Sequence, residues 1–259
     1  MRNPTTDPID AAAHYLVAAR SSRKPGDRMP EGMRPGDIES ALAIQRRVGE
    51  LLGLAAGGWK CSVPSAERKI AAAPIFESTI FRASPCPVIP VDGQARIEPE
   101  IAFVLGSDLP ARGAPYSDSE VRGAIRETRA VLEILGSRYS DPSQVTFPEL
   151  LADHIANQGL FVGPVVPEAL NLPLEAFSVR LTAGGKTILA REGKHPDGHP
   201  MRPLVWLANH LAAHETGLSA GQIVTTGSYC GAIDVPLDSD IDIRWGDFAQ
   251  LKVRFVGGT

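Results

Sequence analysis

The chain has 259 residues, 43% of them hydrophobic, which is enough to bury a full core as one large domain or as a domain with a smaller appendage. Its 26 basic and 30 acidic residues give a net charge of -4 with neither a basic block nor an acidic tail, which argues against nucleic acid or a membrane surface as the partner. No apolar run reaches the roughly 18 residues of a membrane span, and the opening MRNPTTDPID lacks a basic-then-apolar leader pattern, so the expected location is the cytoplasm.

In chain order, Pro8 to about Ser22 is an alanine-rich, helix-prone run, followed by a breaker-rich loop from Lys24 to Gly36. Asp37 caps a second helix that runs to Leu52, with Ile38, Leu42, Val48, Leu51 and Leu52 on one apolar face and Gly53 as its stop. Beyond Gly57-Gly58 the texture changes to short strands bounded by turn residues. The expected class is therefore α+β: a helical N-terminal segment, residues 1–56, then a β-rich domain, residues 57–259.

Trp59 to Val63 reads as a short strand that sets Lys60 among apolar neighbours, and a proline-rich stretch from Pro74 to Pro90 follows. Asp92-Gly93 is a hairpin signal, so Val88–Val91 and Ala95–Leu105 read as an antiparallel pair. Ser117 to Glu120 is a capping box that opens a helix, and Thr128 to Leu135 is an apolar strand interrupted by Glu133. Then come a helix from Pro148 to about Ile155, a strand from Leu160 to Val166 and a hairpin from Phe177 to Leu189 over Ala183-Gly184-Gly185. An amphipathic helix from Met201 to Glu215, a strand from Gln222 to Thr226 and a last hairpin from Ile241 to Val256, turning at Gly246-Asp247, complete the chain.

The chemistry begins at Ile97–Leu105. Side chains alternate along a strand, so Glu98 and Glu100 point to one face, roughly 7 Å apart along the chain. Two neighbouring carboxylates repel, and a hard divalent cation is the simplest neutraliser. Glu133 is a third acid in an apolar setting. Isolated acids of this kind are commonly solvated surface groups, but three carboxylates with waters also form a normal ligand set for Mg2+ or Mn2+, which would act as a Lewis acid on a carbonyl or carboxylate. Lys60 reads either as a snorkelling lysine or, if buried, as a base whose pKa desolvation lowers and nearby carboxylates raise.

Other features carry less. Cys61, Cys86 and Cys230 are odd in number and lack CxxC spacing, so they read as small core residues. His210 and His214 have zinc-compatible spacing without a third ligand, and His195 and His199 lie in a loop of structural character. Thr226-Gly227-Ser228 after a strand could offer N–H and hydroxyl groups to an anion, with a plain turn as the alternative. With neither a P-loop nor a GxGxxG motif, nucleotide chemistry is not expected.

Taken together these pieces resemble the 2-keto-4-pentenoate hydratase and 4-oxalocrotonate decarboxylase group of the fumarylacetoacetate hydrolase superfamily. The resemblance spans nearly the whole chain, through Ala43-Ile44-Gln45, Gly58-Trp59-Lys60, Ile97–Leu105, Leu132-Glu133-Ile134, Ser137-Arg138 and Leu218–Gly231. It implies a β-rich C-terminal fold behind the helical segment, a homo-oligomer, and Mg2+ or Mn2+ held by Glu98, Glu100 and Glu133. It also implies a small-molecule 2-oxo acid substrate from aromatic-compound catabolism. Lys60 would assist proton transfer, and Arg138 and Thr226-Gly227-Ser228 would be candidates for the substrate carboxylate, with Arg138 equally suited to a structural ion pair.

The chain departs from the family pattern at Cys61-Ser62-Val63-Pro64-Ser65 and at Gly136. An Asp-Phe-Gly-like stretch becomes Ile75-Phe76-Glu77, where Glu77 is a candidate substitute proton carrier or a surface glutamate. The leading expectation is hydration of a 2-hydroxy-dienoate. The alternatives are decarboxylation of an oxalocrotonate-type diacid, hydrolysis of an acylpyruvate C–C bond, and a non-catalytic 2-oxo acid binding or partner subunit.

Overall fold

A computed structural model describes residues 7–65 and 70–258. Residues 1–6, on which part of the leader reading rests, lie outside the described residues, as do 66–69 and 259. In chain order the elements are α1 (Pro8–Ser22), α2 (Ile38–Leu52), β1 (Ala56–Ser62), β2 (Ala71–Phe76), β3 (Ile80–Phe81), β4 (Cys86–Val88) and β5 (Gln94–Leu105). There follow α3 (Asp118–Gly123), β6 (Ile125–Leu135), α4 (Phe147–Ala152), β7 (Asn157–Val165), β8 (Ala176–Ala183) and β9 (Lys186–Lys194). The last are α5 (Met201–Ala213), β10 (Ile223–Thr225), β11 (Ile233–Pro236), β12 (Asp240–Trp245) and β13 (Ala249–Gly257). Among the described residues no helix is long and apolar enough to cross a membrane.

The chain divides into two compact units, one comprising the residues up to Ala55 together with Gly136–Asn157, the other Ala56–Leu135 and the chain from Gln158 on. In the first, the Asp7 side chain caps α1, and Asp37 with Ser40 forms a reciprocal capping box on α2, which ends at Gly53 in the left-handed region. Ala12, Leu16, Ile44, Val48, Tyr139 and Leu151 close its small core. Arg28 makes a bidentate ion pair with the fully buried Glu149, at 2.6 and 2.8 Å.

The second unit is a mixed α/β arrangement. One sheet has the order β2-β1-β10-β5-β6-β7-β3, with β11 also paired to β5, and the other the order β4-β13-β12-β8-β9. β5 is hydrophobic on both faces, for two reasons. Ile97, Ile101, Phe103 and Leu105 enter the main core, while Ala102 and Val104 join Ile75, Val131, Leu160, Val162 and Ile223 on the opposite side. Glu98 and Glu100 continue the row of Ala102 and Val104. At Gly58, a Cβ would stand 2.3 Å from the Ile223 carbonyl oxygen, so only glycine lets β1 and β10 approach in parallel there.

One expected pairing is corrected. Asp92 and Gly93 have φ of 50° and 76° and close a turn with a Val91–Gln94 bridge, but the hairpin stops there. Pro90 has no N–H, the Ile89 N–H donates to Gln158 Oε1 at 2.5 Å, and β4 pairs in parallel with β13 instead. The partners of β5 are β6, β10 and the short β11, which no sequence pattern marked.

Candidate metal centre and active site

Antiparallel pairing of β5 with β6 sets Glu98 directly opposite Glu133 and Glu100 opposite Val131. Ligand oxygens of Glu98, Glu100 and Glu133 all lie within 4.8 Å of one another, and among the described residues this is the one group of three or more potential metal ligands. Glu100 and Glu133 are buried, at 2% and 1% exposure. Burial, then Glu133, push the Glu98 carboxyl up to about 7, with Lys60 pulling it down. Burial, Glu133 and Glu98 push Glu100 up to about 8 against hydrogen bonds from Thr225 and Gly227.

Pro99 fits this strand for a specific reason. β10 pairs with Ala102–Val104 and β11 with Gln94–Ile97, which leaves a gap between them along one side of β5. The Pro99 carbonyl points into that gap and accepts from the Tyr229 N–H at 3.3 Å. Because the N–H and C=O of one strand residue face the same side, the missing proline donor interrupts no ladder bond. Pro99 therefore lies at a break within a central strand, not on an edge strand.

Lys60 reaches the same cluster from β1. Its Nζ stands 2.5 Å from Glu133 Oε1, and the side chain is 12% exposed. Burial lowers the lysine pKa, but Glu133, Glu98 and Glu100 outweigh it, and the net direction is up. Beside these three glutamates the ammonium form of Lys60 is favoured over the neutral amine that burial alone would favour.

Thr226-Gly227-Ser228 adjoins the cluster, with its polar groups turned inward. The Gly227 N–H donates to Glu100 Oε2 at 2.9 Å, Thr226 Oγ1 to the Ile101 carbonyl at 3.2 Å, and Ser228 Oγ to the Gly231 carbonyl at 3.2 Å. The group that the Gly227 N–H meets in this structure is the Glu100 carboxyl. Thr225, which sequence reasoning passed over, donates its hydroxyl to the same Glu100 oxygen. Its one signal was its place at the end of an apolar strand, where a buried hydroxyl needs a partner.

The Arg138 guanidinium is engaged within the first unit by the Asp153 side chain and by the carbonyls of Asp153 and Asn157, at 2.7 and 2.8 Å for the latter two. These contacts match the structural ion pair that was one of the two readings of Arg138. Glu77 is exposed on a short 3-10 turn after β2, as a surface glutamate would be. The three cysteines are free and buried, and His210 stacks on Trp206 at 4.9 Å.

The mixed sheet, with clustered carboxylates on adjacent strands, has a fold that resembles structures of fumarylacetoacetate hydrolase family proteins. A fumarylacetoacetate hydrolase family protein of yeast matches 77% of this chain and 92% of its own, with a TM-score of 0.55 and 12% identity. The fold is matched more fully by 4-oxalocrotonate decarboxylase from Pseudomonas putida G7, solved with magnesium and adipate, at a TM-score of 0.80 over 99% of this chain and 100% of that one, with 19% identity. No family model matches the chain. In sequence it is 30% identical over 234 residues to the 2-keto-4-pentenoate hydratase of Paraburkholderia phymatum, covering 85% of this chain and 87% of that protein. The chain belongs to the 2-keto-4-pentenoate hydratase family.

Proposed function

We propose that the protein is a divalent-metal-dependent hydratase that adds water to a 2-hydroxy-dienoate. The observation that carries this reading is the meeting of three carboxylates within 4.8 Å with a lysine 2.5 Å from one of them. The donor set fits a hard cation: all three are oxygen ligands, two are buried, and Glu98 and Glu100 are pushed toward protonation in its absence. Glu98, Glu100 and Glu133 would hold Mg2+ or Mn2+. When bound, such an ion supplies Lewis-acid polarisation of a substrate carbonyl or carboxylate.

The remaining work falls to the chain's own groups. Thr225 Oγ1 and the Gly227 N–H fix one oxygen of Glu100 and so set that carboxylate's orientation. Lys60 Nζ carries the proton that moves as the dienol becomes an unsaturated 2-oxo acid, after which water adds to the remaining double bond. The chemistry lies in residues 57–259, and the enzyme acts in the cytoplasm as a homo-oligomer on a small-molecule 2-oxo acid of aromatic-compound catabolism.

The test offers the Mg2+-loaded protein 2-hydroxypenta-2,4-dienoate and, separately, 4-oxalocrotonate. The reading expects a product heavier than the dienoate by one water. Carbon dioxide release from the diacid with no hydration of the dienoate would instead establish the decarboxylase alternative.

A further inference from the structure

The loop after β9, His195 to Pro200, touches both sides of the site. The Val63 N–H donates to Asp197 Oδ2 at 2.9 Å. Val63 follows β1 directly, three residues beyond Lys60. The ladder of β1 with β2 ends at Ser62–Ala71, and Pro64 has no N–H to offer, so the Asp197 carboxylate takes up the strand where its ladder stops.

The other side of the loop meets the turn that holds Glu100. A Cβ on Gly227 would stand 2.9 Å from Pro196 Cγ, so the proline ring lies against the bare glycine. The Lys194 N–H donates to the Tyr229 carbonyl at 3.2 Å, and the His195 ring stands edge-on to Tyr229 at 5.3 Å. Within the loop, the Asp197 N–H donates to His195 Nδ1 at 3.1 Å, and the Asp197 carbonyl accepts from Arg202 Nη1 at 2.8 Å. His195 and Asp197 are buried, at 4% and 8% exposure. A buried carboxylate is costly unless it is paired or hydrogen-bonded, and the Val63 N–H supplies one such bond to Asp197.

We propose that Asp197 is a positioning residue of the reaction: through Val63 it fixes the strand that carries Lys60, and through the His195–Pro196 turn it couples that strand to the Gly227 donor on Glu100. The inference rests on the reading that Lys60 and the glutamate cluster are the reacting groups. Asp197 acts on β1 through the Val63 N–H, so its loss should disturb the lysine's placement more than the metal's.

The experiment compares Asp197→Ala and Asp197→Asn in the full chain loaded with Mn2+, by amide exchange of the segment around Val63, by kcat and KM for 2-hydroxypenta-2,4-dienoate, and by Mn2+ titration calorimetry. Asp197→Ala should speed exchange at Val63 and lower kcat about tenfold or more, with KM and Mn2+ affinity changed by no more than about twofold. Asp197→Asn keeps an oxygen acceptor for the Val63 N–H and should restore both protection and most of kcat. Unchanged exchange in Asp197→Ala, an Asn variant as slow as the Ala variant, or a loss confined to KM or to Mn2+ affinity would overturn the proposal. If Asp197→Ala does not fold, Asp197→Ser, whose shorter side chain leaves the Val63 N–H without this acceptor, takes its place in the comparison. A wild-type protein inert toward the dienoate defeats the proposed reaction, and the exchange data then decide the positioning role separately.

Discussion

Glu98 and Glu133 stand directly opposite each other across β5 and β6, two carboxylates at paired positions of one antiparallel ladder. Like charges so placed destabilise a sheet. Lys60 on Glu133 offsets part of the repulsion, yet Glu98 and Glu100 remain pushed up to about 7 and about 8. Burial is the larger cause of both shifts and repulsion from Glu133 the next, an excess over the ordinary carboxyl range.

That excess fixes the sign of a pH effect. A carboxyl whose pKa is raised on folding binds, in the native state, a proton that the unfolded chain has released. Its contribution is full below the ordinary value of 4.5 and is lost as pH rises through about 7 for Glu98 and about 8 for Glu100. Metal-free protein should therefore show a Tm that falls between about pH 5 and about pH 9, and Mg2+ should flatten the slope. Scanning calorimetry with and without EDTA checks this, and a metal-free Tm that rises over the same range would contradict it.

Lys60→Met separates proton transfer from metal binding. Removing a proton carrier should lower kcat by on the order of 100-fold or more. The ammonium also competes with a metal for Glu133, so Mn2+ affinity measured by calorimetry should be unchanged or higher. Weaker Mn2+ binding in this variant would show that Lys60 supports the centre instead of competing with it.

Gly227→Ala tests the turn behind Glu100. The residue has φ of 124°, and its new Cβ would meet Pro196 Cγ at 2.9 Å. Urea unfolding should show a loss of about 1–3 kcal/mol, and activity should fall because the Gly227 N–H shifts away from Glu100 Oε2. Wild-type stability and activity together would mean that the turn tolerates a side chain and does not fix the carboxylate.

Much of this was legible from local signals. Glu98 and Glu100 share a face because a strand has a period of two, and the caps at Asp37 and Ser117 stand where their spacing placed them. What depends on partners was less legible. The Asp92-Gly93 turn formed, but prolines before it and β13 beside it redirected the strand that was expected to lead into it. That the Gly227 N–H would meet Glu100, 127 residues away in the chain, was not legible in the turn itself. The charge on Lys60 was undecided until three carboxylates and their distances could be weighed against burial. Thr225 and Asp197 act through contacts more than a hundred residues away in the chain, which no local pattern records.

The central claim is that Glu98, Glu100 and Glu133 hold a divalent ion on which hydration depends. Its most direct test follows the turnover of 2-hydroxypenta-2,4-dienoate before and after exhaustive EDTA treatment, then after Mg2+ or Mn2+ is returned. Turnover should vanish with the metal and recover when either ion is added back. Turnover unchanged after EDTA would contradict the account.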